Sequence, residues 1–253
     1  GAYEYRKTYL PHQKTDLPAK PAFAGLSPDE AHLALLLRDH SLLLLDTEKG
    51  AALLTRNAAA GQGRGAVFPS PGVMVYLGDK GLTAVRIPSG ETLWEKDVAT
   101  ALAMSADAST IAAVCDGYIL LLDPSGGEKA RFAVPGRSVR LASHDFPPRY
   151  DCLELSEDGA FLAVNFTDGT VSVFRAVDGK ETRLFGNAAH VSCAFAGEQI
   201  AFAWLSLPPD AAYTVQAEAS FMAVFDKNTL GRVWERSVEA TPIALSLGGT
   251  IAF

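Results

Sequence analysis

The side chains of this sequence that could bind a ligand are concentrated in two segments, 135–151 and 206–220. Both interrupt an otherwise regular alternation of apolar runs and turns, and they carry cationic, acidic and aromatic residues. Long connections in compact domains are often functional, so the two segments are candidates for a binding surface. The alternative is that they are tolerated surface insertions whose polar residues are solvated. Together with a tryptophan just before the second segment, the candidate binding residues are Arg140, His144, Asp145, Arg149, Tyr150, Trp204, Asp210 and Tyr213.

The other reactive side chains do not form a catalytic or metal-binding pattern. No two of the 5 histidines have the spacing that places metal ligands together, and no Gly-x-Ser-x-Gly motif occurs. Cys115, Cys152 and Cys193 form no Cys-x-x-Cys pair and adjoin apolar runs, so we expect them to be buried. We therefore predict no catalytic residue, no metal site and no cofactor. One alternative is a metal-dependent hydrolase or lactonase-like propeller enzyme. Its metal would be bound at an axial site, in the centre of a ring of β-sheets, to which Asn165 and Asp168 could contribute.

Composition narrows the classes of partner. The chain has 253 residues, of which 48% are hydrophobic, and its 22 Lys and Arg against 29 Asp and Glu give a net charge of −7. Without a basic stretch, a nucleic-acid partner is not expected. The apolar runs are too short to span a bilayer, so no transmembrane segment is expected either.

The compartment stays open. The chain starts with Gly1 rather than Met, which indicates that something has been removed, so an exported protein is slightly favoured over a cytoplasmic one. We expect a monomer.

The elements that must position these residues come from a repeat. Four segments, which begin at Ser27, Ser70, Ser105 and Ser156, each read as a polar turn, an apolar strand, a tight turn, a second apolar strand and a glycine-bearing turn. The leading serines, with the aspartates two residues after three of them, are best explained by hydrogen bonds to the local backbone. Adding a short run before and a third strand after each segment gives four strands every 40 to 50 residues, roughly the length of a propeller blade.

The predicted fold is therefore all-β: one β-propeller of four-stranded antiparallel blades, with six blades, or seven if the chain is a fragment. Since the last blade is incomplete, we expect an N-terminal strand at 2–10 to close the ring. The predicted blades span 23–56, 65–98, 101–136, 151–187, 190–239 and, for the start of the last, 242–253.

Two kinds of propeller repeat resemble parts of the sequence. The turn and Asp-Gly hairpin of Ser156 to Arg175 resemble the Trp-Asp repeat and the bacterial surface-layer propellers. The segments PSGETLWEKD, from Pro88, and NTLGRVWER, from Asn228, resemble the pyrroloquinoline-quinone-like repeat. The resemblance covers about Ser27 to Phe253 and implies the propeller fold, but it carries over no catalytic residue.

In a four-stranded meander the second-to-third-strand loop and the loop into the next blade emerge on one face. Segments 135–151 and 206–220 both belong to that face, in neighbouring blades. We therefore predict a non-catalytic scaffold that binds a protein or peptide partner, or another ligand, through the face carrying these two loops. A quinone-cofactor protein is a weaker alternative, since only two repeats carry the tryptophan.

Overall fold

The computed structural model describes residues 17–58, 65–134, 152–166, 168–206, 219–238, 244–245 and 251–252. Twenty strands form five four-stranded antiparallel sheets, each made of four strands that are consecutive in the chain. The first sheet comprises β1 Pro21–Leu26, β2 His32–Leu37, β3 Ser41–Asp46 and β4 Ala52–Asn57, and the second β5 Ala66–Ser70, β6 Val73–Gly78, β7 Gly81–Arg86 and β8 Thr92–Glu95. The third comprises β9 Ala99–Met104, β10 Ile111–Cys115, β11 Tyr118–Leu122 and β12 Glu128–Ala133, and the fourth β13 Leu153–Leu155, β14 Phe161–Asn165, β15 Val171–Arg175 and β16 Glu181–Phe185. The fifth comprises β17 Ala188–Ala196, β18 Gln199–Ser206, β19 Ala219–Asp226 and β20 Arg232–Val238.

The first strands of consecutive sheets touch each other in order. Strand β1 contacts β5, β5 contacts β9, β9 contacts β13, and β13 contacts β17. This sequential contact stacks the five sheets as propeller blades with their first strands innermost. The short strands β21 Ala244–Leu245 and β22 Ile251–Ala252 pair with each other, and β21 contacts β17 and β18. The two-stranded sheet therefore follows blade five as each blade follows the one before it.

The predicted fold class is confirmed, because every element of the described residues is a β-strand and twenty of these strands form four-stranded antiparallel meanders. The described residues contain no helix that could cross a membrane. The predicted closing strand at 2–10 lies outside the described residues, so the closure of the ring and the number of blades stay predictions.

The blades are buried on both faces, which explains the uninterrupted apolar runs of their central strands. In β3, Leu42 and Leu44 pack toward blade two, whereas Leu43 and Leu45 pack on the opposite face. Each of these four side chains is at most 8% exposed. Successive side chains of a strand point to opposite faces, so a leucine run serves two interfaces at once.

The turns between first and second strands use one serine–aspartate arrangement in blades one, three and four. Each serine accepts a hydrogen bond from the backbone five residues on and donates one to the aspartate two residues on. In blade one, Ser27 Oγ accepts from the His32 amide at 2.9 Å and donates to Asp29 at 2.6 Å. In blade three, Ser105 Oγ accepts from the Thr110 amide at 3.0 Å and donates to Asp107 at 2.6 Å. In blade four, Ser156 Oγ accepts from the Phe161 amide at 2.9 Å and donates to Asp158 at 2.7 Å. The serine hydroxyl lowers the pKa of each aspartate. The local backbone role predicted for these residues is confirmed.

Neighbouring blades also contact each other through their outer parts. The turn between the third and fourth strands of blade three covers Trp94, on the outer strand of blade two. The Trp94 indole N–H donates to the carbonyl oxygen of Pro124 at 3.2 Å. Gly126 of this turn has φ of +86°, and a Cβ there would lie 2.9 Å from the indole ring. Glycine therefore allows both the backbone conformation and the close approach.

Candidate functional site

The face that carries the turns between second and third strands is where the sequence predicts binding. These turns are held by short local hydrogen bonds. The Asp39 carboxylate accepts from the Ser41 amide at 3.0 Å, and that of Asp168 accepts from the Thr170 amide at 2.8 Å. Gly117 and Gly169 take positive φ values in the equivalent turns of blades three and four. The face is therefore built on tight turns between buried strands.

The described ends of the first long segment are anchored on this face. Val134, which precedes residues 135–151, is 3% exposed, and its amide donates to the Gly117 carbonyl at 2.8 Å. Cys152, which follows them, is 1% exposed, and its carbonyl accepts from the Asn165 amide at 2.8 Å. The segment therefore leaves blade three and enters blade four from fixed positions beside their tight turns.

The second long segment is flanked by the two strands of a long hairpin. Strands β18 and β19 have 8 residues each, against 5 in β14 and in β15, and their pairing continues to Leu205 opposite Ser220 and Ser206 opposite Ala219. An aromatic stack lies near this end of the hairpin. The Trp204 ring stacks on Phe185 with centroids 4.2 Å apart and on Phe221 with centroids 5.6 Å apart.

Of the predicted binding residues, the structure describes Trp204. Its side chain is 5% exposed and belongs to the core between blades four and five. Trp204 thus packs in the core at the base of the hairpin, where its side chain offers little surface to a ligand. Seven of the predicted residues lie outside the described part of the chain and stay predictions: Arg140, His144, Asp145, Arg149, Tyr150, Asp210 and Tyr213.

Asn165 stands out on this face because its side chain is fully buried and makes no hydrogen bond to the described residues. It ends β14, is 0% exposed, and both polar atoms of its amide lack a partner. An unpaired buried amide costs about 1–3 kcal/mol, so the position calls for a polar partner such as a water molecule or a ligand group. From the sequence, Asn165 and Asp168 are possible contributors to the alternative axial metal site. Among the described residues no group of three or more His, Cys, Asp or Glu side chains comes together as a metal site would require.

A charged cluster on the same face was not anticipated from the sequence. The Tyr118 hydroxyl donates to the Asp97 carboxylate at 2.5 Å, and the Arg131 guanidinium lies 4.3 Å from the centre of the Tyr118 ring. The same guanidinium donates to Asp97 at 3.4 Å. The hydroxyl and the guanidinium lower the pKa of Asp97, and the carboxylate raises the pKa of Tyr118. This cluster joins the segment that leaves blade two to the outer strands of blade three. No sequence motif signals it, because its residues are far apart in the chain.

None of the three cysteines forms a disulfide bond. Cys115 and Cys152 are buried as expected and Cys193 is half-buried. Burial raises the pKa of the Cys115 thiol, which keeps it protonated near neutral pH.

No protein-family model and no curated protein matches the sequence. Among solved structures, the C-terminal WD40 domain of Sif2 is similar with a TM-score of 0.62 and 12% identity, over 89% of this chain and 64% of that one. BamB from Moraxella catarrhalis is similar with a TM-score of 0.54 and 17% identity, over 84% of this chain and 60% of that one. The chain thus spans less than two thirds of the length of either. At these identities the similarity concerns the fold, and together with the five four-stranded meanders it shows that the chain has a β-propeller fold.

Proposed function

We propose that this propeller is a non-catalytic interaction module that binds a protein or peptide partner through the face carrying segments 135–151 and 206–220. The observation that carries the proposal is the anchoring of both segments on one face of neighbouring blades. Their flanking residues Val134, Cys152, Ser206 and Ala219 are held by backbone hydrogen bonds or strand pairing. The similarity to a WD40 domain and to BamB supports a propeller interaction module of this kind.

Rigid flanks favour binding because they reduce the conformational entropy that a binding loop loses when it docks. The predicted side chains supply guanidinium, imidazole and phenol groups. Arginine and tyrosine in particular are enriched among residues that dominate binding energy at interfaces.

The experiment compares two surface variants in crosslinking and co-purification from the native source. The first combines Arg140→Ala, His144→Ala and Arg149→Ala. The matched control combines Lys49→Ala, Arg86→Ala and Arg232→Ala, which remove three charges from the opposite face in blades one, two and five. We expect the first variant to lose at least about tenfold in capture of a partner, the effect of one or two interface hot spots. Equal loss in both variants, or none in either, would contradict the proposed face.

A second candidate is the metal-dependent hydrolase or lactonase-like enzyme with an axial site. The unpaired buried amide of Asn165 is the one observation that favours it. Metal analysis after dialysis tests this function: a retained divalent ion that Asn165→Ala releases would support it, and a metal-free protein would remove its basis.

We also infer that the ring has six blades and closes through residues 2–10, or seven blades if the chain is part of a longer protein. The position of β21 against β17 and β18 supports a further blade after the fifth. Deletion of residues 2–10 should then lower the melting temperature and expose a sheet edge that promotes association. A truncated chain as stable and as monomeric as the parent would contradict the closure.

A further inference from the structure

The opposite face of the propeller carries a cleft that the proposed function does not use. It lies between blades three and four and has a volume of about 440 Å³. Its walls come from the serine–aspartate turn and the outer turn of blade four, and from the strand ends of blade three. The lining side chains that matter for binding are Thr110, Leu121, Lys129, Phe161, Arg175 and Val177.

The floor and one edge of this cleft are apolar. Leu121 is 1% exposed at the base, and Phe161 is half-buried. Val177 at the edge is 85% exposed, the highest value among the exposed large apolar side chains of the described residues. An apolar side chain inserted between Phe161 and Val177 would remove apolar surface from water on both partners.

The two cationic side chains of the cleft differ in whether they have an acidic partner. Arg175 forms an ion pair with Asp178 in its own turn. Lys129 forms no ion pair among the described residues; its ammonium instead donates to Thr110 Oγ1 at 2.7 Å and to the Ser109 carbonyl at 3.3 Å. Two of its three protons are thus used to fix its position, and the third is left for a ligand.

The nearby acids do not neutralise this ammonium by contact. Asp158, also in the lining, accepts hydrogen bonds from the Ser156 hydroxyl and the Ala160 amide within its own turn. The Ser156 hydroxyl is the main cause of its lowered pKa, and Lys227 adds a smaller contribution. Lys129 contributes to the lowered pKa values of Asp107 and Asp123, but neither carboxylate forms an ion pair with it. Interactions beyond about 8 Å are screened at physiological salt, so the net charge of the chain does not decide binding at Lys129.

We propose that this cleft binds an extended peptide segment in which an apolar side chain adjoins a carboxylate. The apolar side chain lies against Phe161 and Val177, and the carboxylate accepts a hydrogen bond from Lys129. This second site is independent of the face proposed above, since it is built from turns on the opposite side of the ring.

The test uses the full chain and three probe peptides, acetyl-Ser-Leu-Glu-Ser-amide and its Leu-Gln and Leu-Lys counterparts, followed by amide NMR shifts. We expect the Leu-Glu peptide to shift the amides of Thr110, Lys129 and Val177, with an affinity about fivefold above that for the Leu-Gln peptide, as one charge-assisted hydrogen bond provides. Lys129→Gln should remove that preference while keeping a hydrogen-bond donor.

Two further variants keep the test decisive. Val177→Ser changes an exposed side chain, so it should fold normally and weaken all three peptides alike. Lys49→Gln alters an equally exposed lysine in the outer turn of blade one and should change nothing. Shifts scattered over the surface, a preference for the Leu-Lys peptide, or an unchanged preference in Lys129→Gln would each overturn the proposal.

Discussion

Trp94 and Trp234 occupy the same position in blades two and five but have different surroundings. Each pairs with the third strand of its own blade, Trp94 opposite Ala84 and Trp234 opposite Val224, just before a register shift. Trp94 is partly buried under the outer turn of blade three, with its N–H bonded to Pro124. Trp234 is 41% exposed, and no described turn covers it.

The two tryptophans show that the burial of side chains on an outer strand depends on the blade that follows and not on the sequence of the strand alone. The exposed fractions show this along whole strands. In β20 the first six residues are all exposed, whereas each of the other outer strands, none longer than six residues, includes at least one buried or half-buried residue. Nearest-neighbour contacts of this kind are what stabilise repeat architectures.

The largest expected change in the free energy of unfolding comes from replacing each of the two tryptophans with alanine. Trp94→Ala should lower the free energy of unfolding by about 2–4 kcal/mol, because it leaves a cavity under the blade-three turn and an unpaired carbonyl. Trp234→Ala should change it by less than about 0.5 kcal/mol, as for other exposed positions. Urea unfolding followed by circular dichroism measures both. Equal losses in the two variants would mean that Trp234 is covered in solution as Trp94 is.

A smaller effect is expected at the glycine that covers Trp94. Gly126→Ala should cost about 1–3 kcal/mol, from the positive φ and from the contact of the new methyl with the indole. Gly117→Ala is the matched control, since Gly117 has a similar φ of +75° but no atom within 4 Å of an added Cβ. It should cost only the backbone part, about 1 kcal/mol.

The two glycine variants can be separated further by combining each with Trp94→Ala in the same unfolding assay. The cost of Gly126→Ala should fall in that background and the cost of Gly117→Ala should not. Additive behaviour of Gly126→Ala would contradict a direct contact between the turn and the indole.

The smallest effect concerns the charged cluster at the junction of blades two and three. The Tyr118 hydroxyl is the main cause of the lowered pKa of Asp97, so the folded-state pKa lies below the unfolded value. The stabilisation is therefore complete above about pH 4 and is lost as the pH falls through the folded pKa. Tyr118→Phe keeps the ring under Arg131 but removes the hydroxyl, and should raise the pKa of Asp97 in a carboxyl NMR titration.

The stability difference between Tyr118→Phe and the parent should be about 0.2–1 kcal/mol near pH 6, since Asp97 is half-exposed, and should shrink toward pH 2. Arg86 and Glu91 form an exposed ion pair elsewhere in blade two, so Arg86→Gln serves as a control that leaves Asp97 unchanged. An unchanged pKa of Asp97 in Tyr118→Phe would show that the Tyr118 hydroxyl does not cause its lowered pKa.

Much of the fold could be predicted because it depends on local patterns. Asp-Gly pairs between apolar runs predict the hairpins, and the serine–aspartate turns of Ser27, Ser105 and Ser156 are satisfied within a few residues of chain. For the binding site, the sequence predicts the face of the propeller on which it lies but not the arrangement of its side chains. Its candidate side chains, such as Arg140 and Tyr213, belong to segments whose conformation no local pattern specifies.

The strand pattern, the turns and the all-β class can be predicted from the sequence alone. The alternation of side chains along a strand and the residue preferences of turns depend on fewer than about ten consecutive residues. Contacts between distant parts of the chain determine that Trp94 is covered while Trp234 is exposed, that Trp204 packs against the end of the β18–β19 hairpin, and that Lys129 forms no ion pair with a described residue. Each of these depends on which blade lies next to which. That arrangement is fixed by contacts between residues distant in the chain, where the energy comes from burial and complementary charge and not from local conformation.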